Sequence, residues 1–315
     1  MTPEQKLTQY RHDQINLLAL RPEPESLLAA ALLAEPDADD KSRPAALKTP
    51  ALLKRAQTIG AESALIWWTS AAIECHAQEK DCPDAATLTK LEALDAENSA
   101  IWLLSLYHAQ LVGDAPAARA ALTSAAQAKK YDDRFGQLMS ALYQAQEVLP
   151  MSTELLNATH ADANVSGYRL LTAANLAISR GMPPAGHALA NACKPGDSPP
   201  EDVVADCIAV ARKLETSGSL FAQSAGLALH DALLPAGPER DGLRQRQRRL
   251  AWQMQRMGEL SARLATDSRV TRTYTQALAG GDEATALAAV LRAEGVPSEP
   301  PADWKAQDAA PQTHP

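Results

Sequence analysis

Residues 94–102 of the chain read LDAENSAIW, and this stretch decides how the rest of the sequence is interpreted. Its last residue, Trp102, lies 34 residues after Trp68, and both follow the start of a predicted helix. Gly113 and Gly181 lie 68 residues apart, which is twice the same interval, and each follows one predicted helix and precedes another. A single period of 34 residues therefore spans several helical hairpins.

The composition agrees with closely packed helices. Ala and Leu dominate, aromatic residues make up 4% of the 315 residues, and Phe occurs twice. Ala costs little side-chain entropy in a helix and lets helix axes approach closely, whereas the β-branched runs that are typical of strands are missing. We predict an all-α fold of stacked antiparallel helical hairpins, an α-solenoid without significant β-sheet.

The 34-residue period is similar to that of tetratricopeptide repeats. In this register, residues 94–102 resemble the boundary between two repeats, and Gly113 with Asp114 matches the turn between the two helices of one repeat. The following repeat departs from the pattern, with Gly136 in place of the tryptophan and Glu147 in place of the turn glycine. The chain thus resembles a degenerate tetratricopeptide-like array.

The resemblance and the proline positions divide the chain into four parts. We predict N-terminal helices over 1–60 that pack on the array, repeats over 61–200, and C-terminal helices over 201–295 that end in a repeat-like hairpin. Residues 296–315 carry five prolines, too many for a helix. We predict that this tail is disordered.

The resemblance also implies a binding face. In tetratricopeptide arrays the first helix of each repeat lines a concave groove, and the matching positions here are Thr69, His76, Tyr107, Gln110, Arg134, Gln137, Gln144, Tyr168 and Asn175. Tyrosines and amides suit an extended peptide, because they can hydrogen-bond its backbone and stack on its side chains. The alternative is an ordinary solvated face.

The four cysteines form two local pairs, Cys75 with Cys82 and Cys193 with Cys207, and each pair flanks a predicted turn. Four cysteines allow three connectivities, and buried free thiols are the alternative. A zinc site is disfavoured because no C-x-x-C pair is present. Two disulfides would favour an oxidising compartment.

The start of the chain lacks a basic stretch followed by an apolar core, so we expect either a cytosolic protein or one whose signal peptide has been removed. No apolar run is long enough for a transmembrane helix. Cys82, Pro83 and residues 94–102 also resemble uncharacterised exported helical-repeat proteins of Gram-negative bacteria. That resemblance implies a periplasmic or secreted protein, with the cytoplasm as the alternative.

The net charge of -8 argues against a nucleic-acid partner. Arg240, Arg244 and Arg248 contrast with the acidic chain, and their spacing of four places them on one helical face. They are a candidate patch for an anionic partner. The alternative is a solvated face that is paired with acidic neighbours.

No sequence motif of a metalloprotease, a phosphate-binding loop, a nucleophile elbow or a redox pair is present. The best cluster is His160, Asp162 and Asn164, and helix capping by the latter two is the simpler interpretation. We therefore predict a non-catalytic scaffold, without a cofactor or metal, that binds a protein or peptide; an inhibitor or immunity protein is one version. The alternatives are an enzyme with a site in a helical groove and a cytosolic adaptor.

Overall fold

The computed structural model of the chain describes residues 1–34, 43–77, 82–159, 164–194 and 200–305. These residues form sixteen α-helices and no strand, which confirms the predicted all-α class. The helices are α1 (Pro3–Ala19), α2 (Pro24–Ala34), α3 (Thr49–Ile59), α4 (Ala64–Ala77), α5 (Ala85–Asp95), α6 (Ser99–Val112), α7 (Ala115–Gln127), α8 (Phe135–Ala145), α9 (Thr153–Thr159), α10 (Val165–Arg180), α11 (Gly186–Ala192), α12 (Glu201–Glu215), α13 (Leu220–Leu233), α14 (Pro238–Thr266), α15 (Ser268–Leu278) and α16 (Glu283–Ala293).

Helix α2 lies at the centre of the N-terminal part of the fold. Every residue from Ser26 to Ala34 is buried, so the helix has no solvated face. A helix that is apolar on all sides must be surrounded by other elements. Accordingly, α2 packs against α1, α3, α4, α8 and α10.

The buried side chains form two main cores. The first core surrounds α2 and receives side chains from α1, α3, α8, α10, α15 and α16. The second core lies between α5, α6, α7, α11, α12 and α13. Helix α4 contributes to both, because Ile66 and Ile73 face the first core whereas Trp68 and Ala71 face the second.

The order in which the helices pack only partly follows the order of the chain. Helices α4 to α7 pack in sequence, but α6 then contacts α11, and α7 contacts α12. Helix α8 packs on α2 and α10. In a simple repeat array, each hairpin would pack on the next one along the chain. Here α11 and α12 pack on the hairpin of α6 and α7, whereas α8 packs elsewhere.

Two close approaches between backbone segments depend on glycines. A Cβ atom at Gly136 of α8 would overlap the carbonyl group of Gly281, and one at Gly167 of α10 would overlap the carbonyl group of Ala265. The backbones of these elements are therefore in direct contact. Gly136, which stands where the repeat pattern has tryptophan, leaves the space that this approach requires.

Both cysteine pairs lie at disulfide distance, in the connectivity that keeps each pair local. The Cα atoms of Cys75 and Cys82 are 5.0 Å apart, and those of Cys193 and Cys207 are 5.8 Å apart. The first pair joins the end of α4 to the segment before α5, and the second joins α11 to α12.

The first ten residues of the proline-rich tail, 296–305, lie along α14 and make side-chain hydrogen bonds with it. This differs from the predicted disorder over 296–315, because the tail's backbone carbonyls find donors on α14. Residues 306–315 fall outside the described part of the chain.

Candidate functional site

Two of the predicted groove residues are buried. Thr69 has no exposed surface. Arg134 is 8% exposed, and its guanidinium forms an ion pair with Asp95. In the structure these two side chains support the fold and do not line a surface.

Tyr107 and Gln110 of α6 lie on the side of the helix that the chain's own helices cover. The Gln110 side-chain amide donates a hydrogen bond to the carbonyl oxygen of Ala188 in α11, at 3.1 Å. Tyr107 packs against the second core. Helix α11 packs on α6 here, and Gln110 also lines a cavity of about 410 Å³ between α6, α7, α11 and α12.

The remaining members of the predicted face are dispersed. His76 is exposed at the end of α4, and Gln144 is exposed on α8. Gln137 donates a hydrogen bond to the carboxylate of Asp132, at 3.2 Å. The structure does not bring these three side chains together.

Tyr168 and Asn175 of α10, in contrast, line one cavity of about 300 Å³. The cavity lies between α1 and α10, with the end of α2 as its floor, and we call it the α1–α10 groove. Its apolar lining comes from Leu7, Leu33, Leu171 and Leu176, and its polar lining from Tyr10, Arg11, Gln14, Tyr168, Thr172 and Asn175. This mixture of an apolar base with a few polar groups is typical of a binding site.

A buried hydrogen-bond chain fixes the base of the groove. The Gln14 side-chain amide donates to the Tyr10 hydroxyl at 3.0 Å, and that hydroxyl donates to the carbonyl oxygen of Leu149 at 2.8 Å. Burial raises the pKa of Tyr10 to about 12. The phenol therefore stays protonated and keeps its donor role at neutral pH.

Apolar side chains continue from the groove onto the surface. Leu171 and Ile178, seven residues apart on α10, are 49% and 65% exposed, and Leu17 of α1 is 38% exposed. Residues seven apart lie on nearly the same face of a helix. Asn175 is exposed on this side of α10 and adds an amide that can donate and accept hydrogen bonds.

A second cavity, of about 320 Å³, lies between α5, α6 and α7. Small residues of α7, including Ala117 and Ala120, leave the space, and Glu92, Ser105 and His108 line it. The Ser105 hydroxyl donates to the Glu92 carboxylate at 2.7 Å. These three side chains come from two helices, and none of them belongs to the face predicted from the sequence.

The basic residues of α14 have acceptors within the chain. Arg240 and Arg244 both pair with Asp231, at 2.8 and 3.4 Å. Arg248 donates to backbone carbonyls of the tail. This geometry agrees with the interpretation in which the basic face is paired internally.

Two clusters of ionisable side chains join elements that are separate in sequence. Glu283 at the start of α16 accepts a hydrogen bond from the Leu220 backbone N–H at 3.0 Å. Burial, with the nearby carboxylates of Asp133 and Asp282, raises its pKa to about 7. Burial likewise raises the pKa of Asp133, which accepts a hydrogen bond from the Phe135 backbone N–H. Both carboxyl groups thus serve helix starts, which is a structural role.

The second cluster centres on His230 of α13. Its Nδ1 atom lies 2.5 Å from the Glu215 carboxylate, which also pairs with Arg246 at 2.9 Å. The His230 and Glu215 side chains are 2% and 5% exposed. This cluster ties α12 and α13 to α14 and is closed to a substrate.

Of the catalytic candidates in the sequence, His160 and Asp162 lie outside the described residues. The Asn164 side chain accepts a hydrogen bond from the Gly167 backbone N–H at 2.8 Å, and so caps α10. Within the described residues no group of three His, Cys, Asp or Glu side chains could hold a metal ion. In the same part of the chain, no helix combines the length and the apolar character that crossing a membrane requires.

The α1 residues of the groove are absent from the predicted face, because α1 and α10 come together only through the tertiary fold. One sequence signal pointed to the site: Leu171 and Ile178 stand next to Asn175 on what should be the polar side of α10. Comparison with protein-family models, curated proteins and solved structures found no match to the chain.

Proposed function

We propose that the chain is a non-catalytic binding protein that holds a segment of a protein partner in the α1–α10 groove. The observation that carries this proposal is the open cavity of about 300 Å³, which continues into exposed Leu171 and Ile178. Exposed apolar side chains beside a cavity are typical of interaction sites. The partner's apolar side chains would enter the groove, and Thr172 and Asn175 would hydrogen-bond its backbone. An inhibitor or immunity protein is one version of this function.

The test uses full-length protein with a photo-crosslinking residue at Thr172, exposed to extract of the native host. A second chain carries the same residue at Phe221, which is 74% exposed on α13 and serves as a control. A partner that is captured only from Thr172 is then purified. We expect Leu171→Asp to weaken its binding at least about tenfold, because a buried carboxylate would replace a contact side chain.

In the same assay Phe221→Asp should leave the affinity unchanged. Equal affinities of the wild-type chain, Leu171→Asp and Phe221→Asp would refute the groove as the binding site.

A second candidate function is an enzyme, which the cavity between α5, α6 and α7 favours because it brings Glu92, Ser105 and His108 together. The hydrogen bond from Ser105 to Glu92 would let the carboxylate act as a base for the hydroxyl. The test is labelling with a fluorophosphonate probe. If the wild-type chain is labelled and Ser105→Ala is not, the result would support the enzyme. If the wild-type chain is not labelled, the result would favour the binding function.

We also propose that the protein works in the periplasm or outside the cell. Both cysteine pairs lie at disulfide distance, which suits an oxidising compartment. Intact mass of protein from the native host, alkylated before and after reduction, tests this proposal. Two disulfides support export, whereas four free thiols would favour the cytosolic adaptor.

A further inference from the structure

The tail residues 296–305 are held on α14 by side chains that bind backbone carbonyls. The Trp252 indole N–H donates to the carbonyl oxygen of Pro297 at 2.9 Å, and the Gln253 amide donates to that of Ser298 at 3.1 Å. Arg248 donates to three more carbonyl oxygens, those of Pro301 at 2.6 Å, Ala302 at 3.1 Å and Trp304 at 2.7 Å. The tail is thus held mainly through its backbone.

Two side chains of the tail add three further contacts. The Trp304 ring meets the Trp252 ring edge to face, with their centroids 5.6 Å apart, and the Arg248 guanidinium lies 5.7 Å from the Trp304 ring centre. Glu299 pairs with Arg249 at 2.7 Å. The surface therefore complements a segment that carries an aromatic ring and a negative charge.

The donors form one compact face. Arg248 and Trp252 are four residues apart, as are Arg249 and Gln253, so all four lie on adjacent rows of α14. We call these four residues the tail-binding face. The tail opposite forms neither helix nor strand. It bends at Ser298 and Glu299, and the Trp304 backbone N–H then closes a turn by donating to the carbonyl oxygen of Pro301 at 3.1 Å.

Segments of other proteins also offer backbone carbonyl acceptors and prolines. Tryptophan and polar donors that bind the backbone carbonyls of a proline-containing segment are a general mode of peptide recognition. The prolines lower the entropy that the segment loses on binding. Any segment with the same spacing of proline, acid and aromatic residue would find the same donors.

We propose that the tail-binding face is a docking surface for an acidic, proline-rich segment of a partner protein, and that the chain's own tail occupies this surface when the partner is absent. Glu299 on Arg249 gives the charge preference, and Trp304 on Trp252 gives the aromatic preference. Because the tail is tethered to the chain, its effective concentration at the face is about millimolar. A partner segment must therefore bind the face more tightly than the tail does in order to displace it.

The experiment uses a fluorescent peptide of residues 296–305 (VPSEPPADWK) as the probe and full-length chains as receptors. In one chain residues 296–305 are replaced by Gly and Ser, which keeps the length but removes the proline, acid and tryptophan. Far-UV circular dichroism and thermal unfolding check that this chain is folded. Fluorescence anisotropy then measures peptide binding.

We expect the Gly/Ser chain to bind the peptide at least about tenfold more tightly than the wild-type chain, in which the tail competes. Adding Arg248→Ala should weaken binding at least about tenfold, because the side chain that serves three carbonyls is lost. Arg244→Ala, one turn earlier on the same helix and paired with Asp231, is the matched control and should leave binding unchanged.

Three results would overturn the proposal. One is a folded Gly/Ser chain that does not bind the peptide. Another is binding that Arg248→Ala and Arg244→Ala affect equally. The third is a concentration-dependent dimer of the wild-type chain that Trp304→Ala dissolves, because the face would then hold the tail of a second copy.

Discussion

At the scale of single residues, a largely buried ion pair joins the start of α8 to the end of α5. Arg134 was predicted to contact a partner, yet it is buried and pairs with Asp95, which also accepts a hydrogen bond from the Asn98 side chain at 2.9 Å. A repeat register specifies the position of a residue along a helix. It does not specify which neighbour will cover that position.

We predict that Arg134→Ala lowers the free energy of unfolding by roughly 3 kcal/mol, because it leaves the nearly buried Asp95 carboxylate without its main partner. Urea unfolding measures this loss. Arg272→Ala, at an exposed position of α15, is the control and should stay within about 0.5 kcal/mol of wild type. An Arg134→Ala chain as stable as the control would contradict the stabilising role of the pair between Arg134 and Asp95.

Glu283 gives a pH-dependent prediction. Its pKa is about 7 in the folded chain, above the ordinary value of 4.5, because burial and the carboxylates of Asp133 and Asp282 disfavour its charge. The neutral form therefore stabilises the fold fully below about pH 4.5, and this contribution is lost as the pH rises through 7. The loss is on the order of 3 kcal/mol.

Glu283→Gln cannot ionise, and its amide oxygen can still accept the Leu220 N–H. We expect this variant to match wild type near pH 4.5 and to be more stable at pH 8. Urea unfolding at the two pH values measures the difference, with Glu23→Gln, an exposed site, as the control. If wild type and Glu283→Gln lose the same stability between the two pH values, the assignment to Glu283 is wrong.

At the scale of elements, close helix crossings decide where the chain departs from a simple array. Gly167 lets α10 touch the end of α14, and the Asn164 backbone N–H donates to the Ala265 carbonyl oxygen at 2.9 Å beside it. This crossing positions α10, and with it one wall of the α1–α10 groove.

Two glycine substitutions test the crossing. Gly167→Ala should cost roughly 1 to 3 kcal/mol, because the new methyl group overlaps the Ala265 carbonyl and the helices must separate. Gly258→Ala, at an open position inside α14, should gain up to about 1 kcal/mol from helix propensity. Thermal unfolding distinguishes the two outcomes, and a stabilised Gly167→Ala chain would contradict the close approach.

At the scale of the whole molecule, the first core joins the two ends of the chain. Leu28 of α2 and Val270 of α15 are both 1% exposed within this core, although they lie far apart in sequence. A core that closes only when α15 and α16 pack cannot form from the N-terminal helices alone. This arrangement links the two terminal regions in one cooperative unit.

We predict that Leu28→Ala costs about 2 to 5 kcal/mol and lowers the hydrogen-exchange protection of α15 amides as much as that of α2 amides. Native-state hydrogen exchange measures both regions in one experiment. The outcome that contradicts a shared unit is loss of protection in α2 with wild-type protection in α15.

The sequence by itself determined the secondary structure and its local details. The all-α class is as predicted. Local signals such as the capping box of Thr2 and Gln5 at α1 and Pro238 at the start of α14 act over a few residues. The sequence left three cysteine connectivities open, and in the structure both pairs are the local ones, which short loops favour because they keep their ends close.

Only the tertiary structure decided which surfaces stay open. Gln110 donates a hydrogen bond to α11, Tyr168 and Asn175 open onto α1, and the tail finds donors on α14. Each of these contacts joins residues far apart in sequence, and many helices in an Ala-rich chain are compatible with many neighbours. Which helices become neighbours depends on the burial of α2 and on close backbone approaches such as that of Gly136 to Gly281. These contacts exist only when the whole chain is packed.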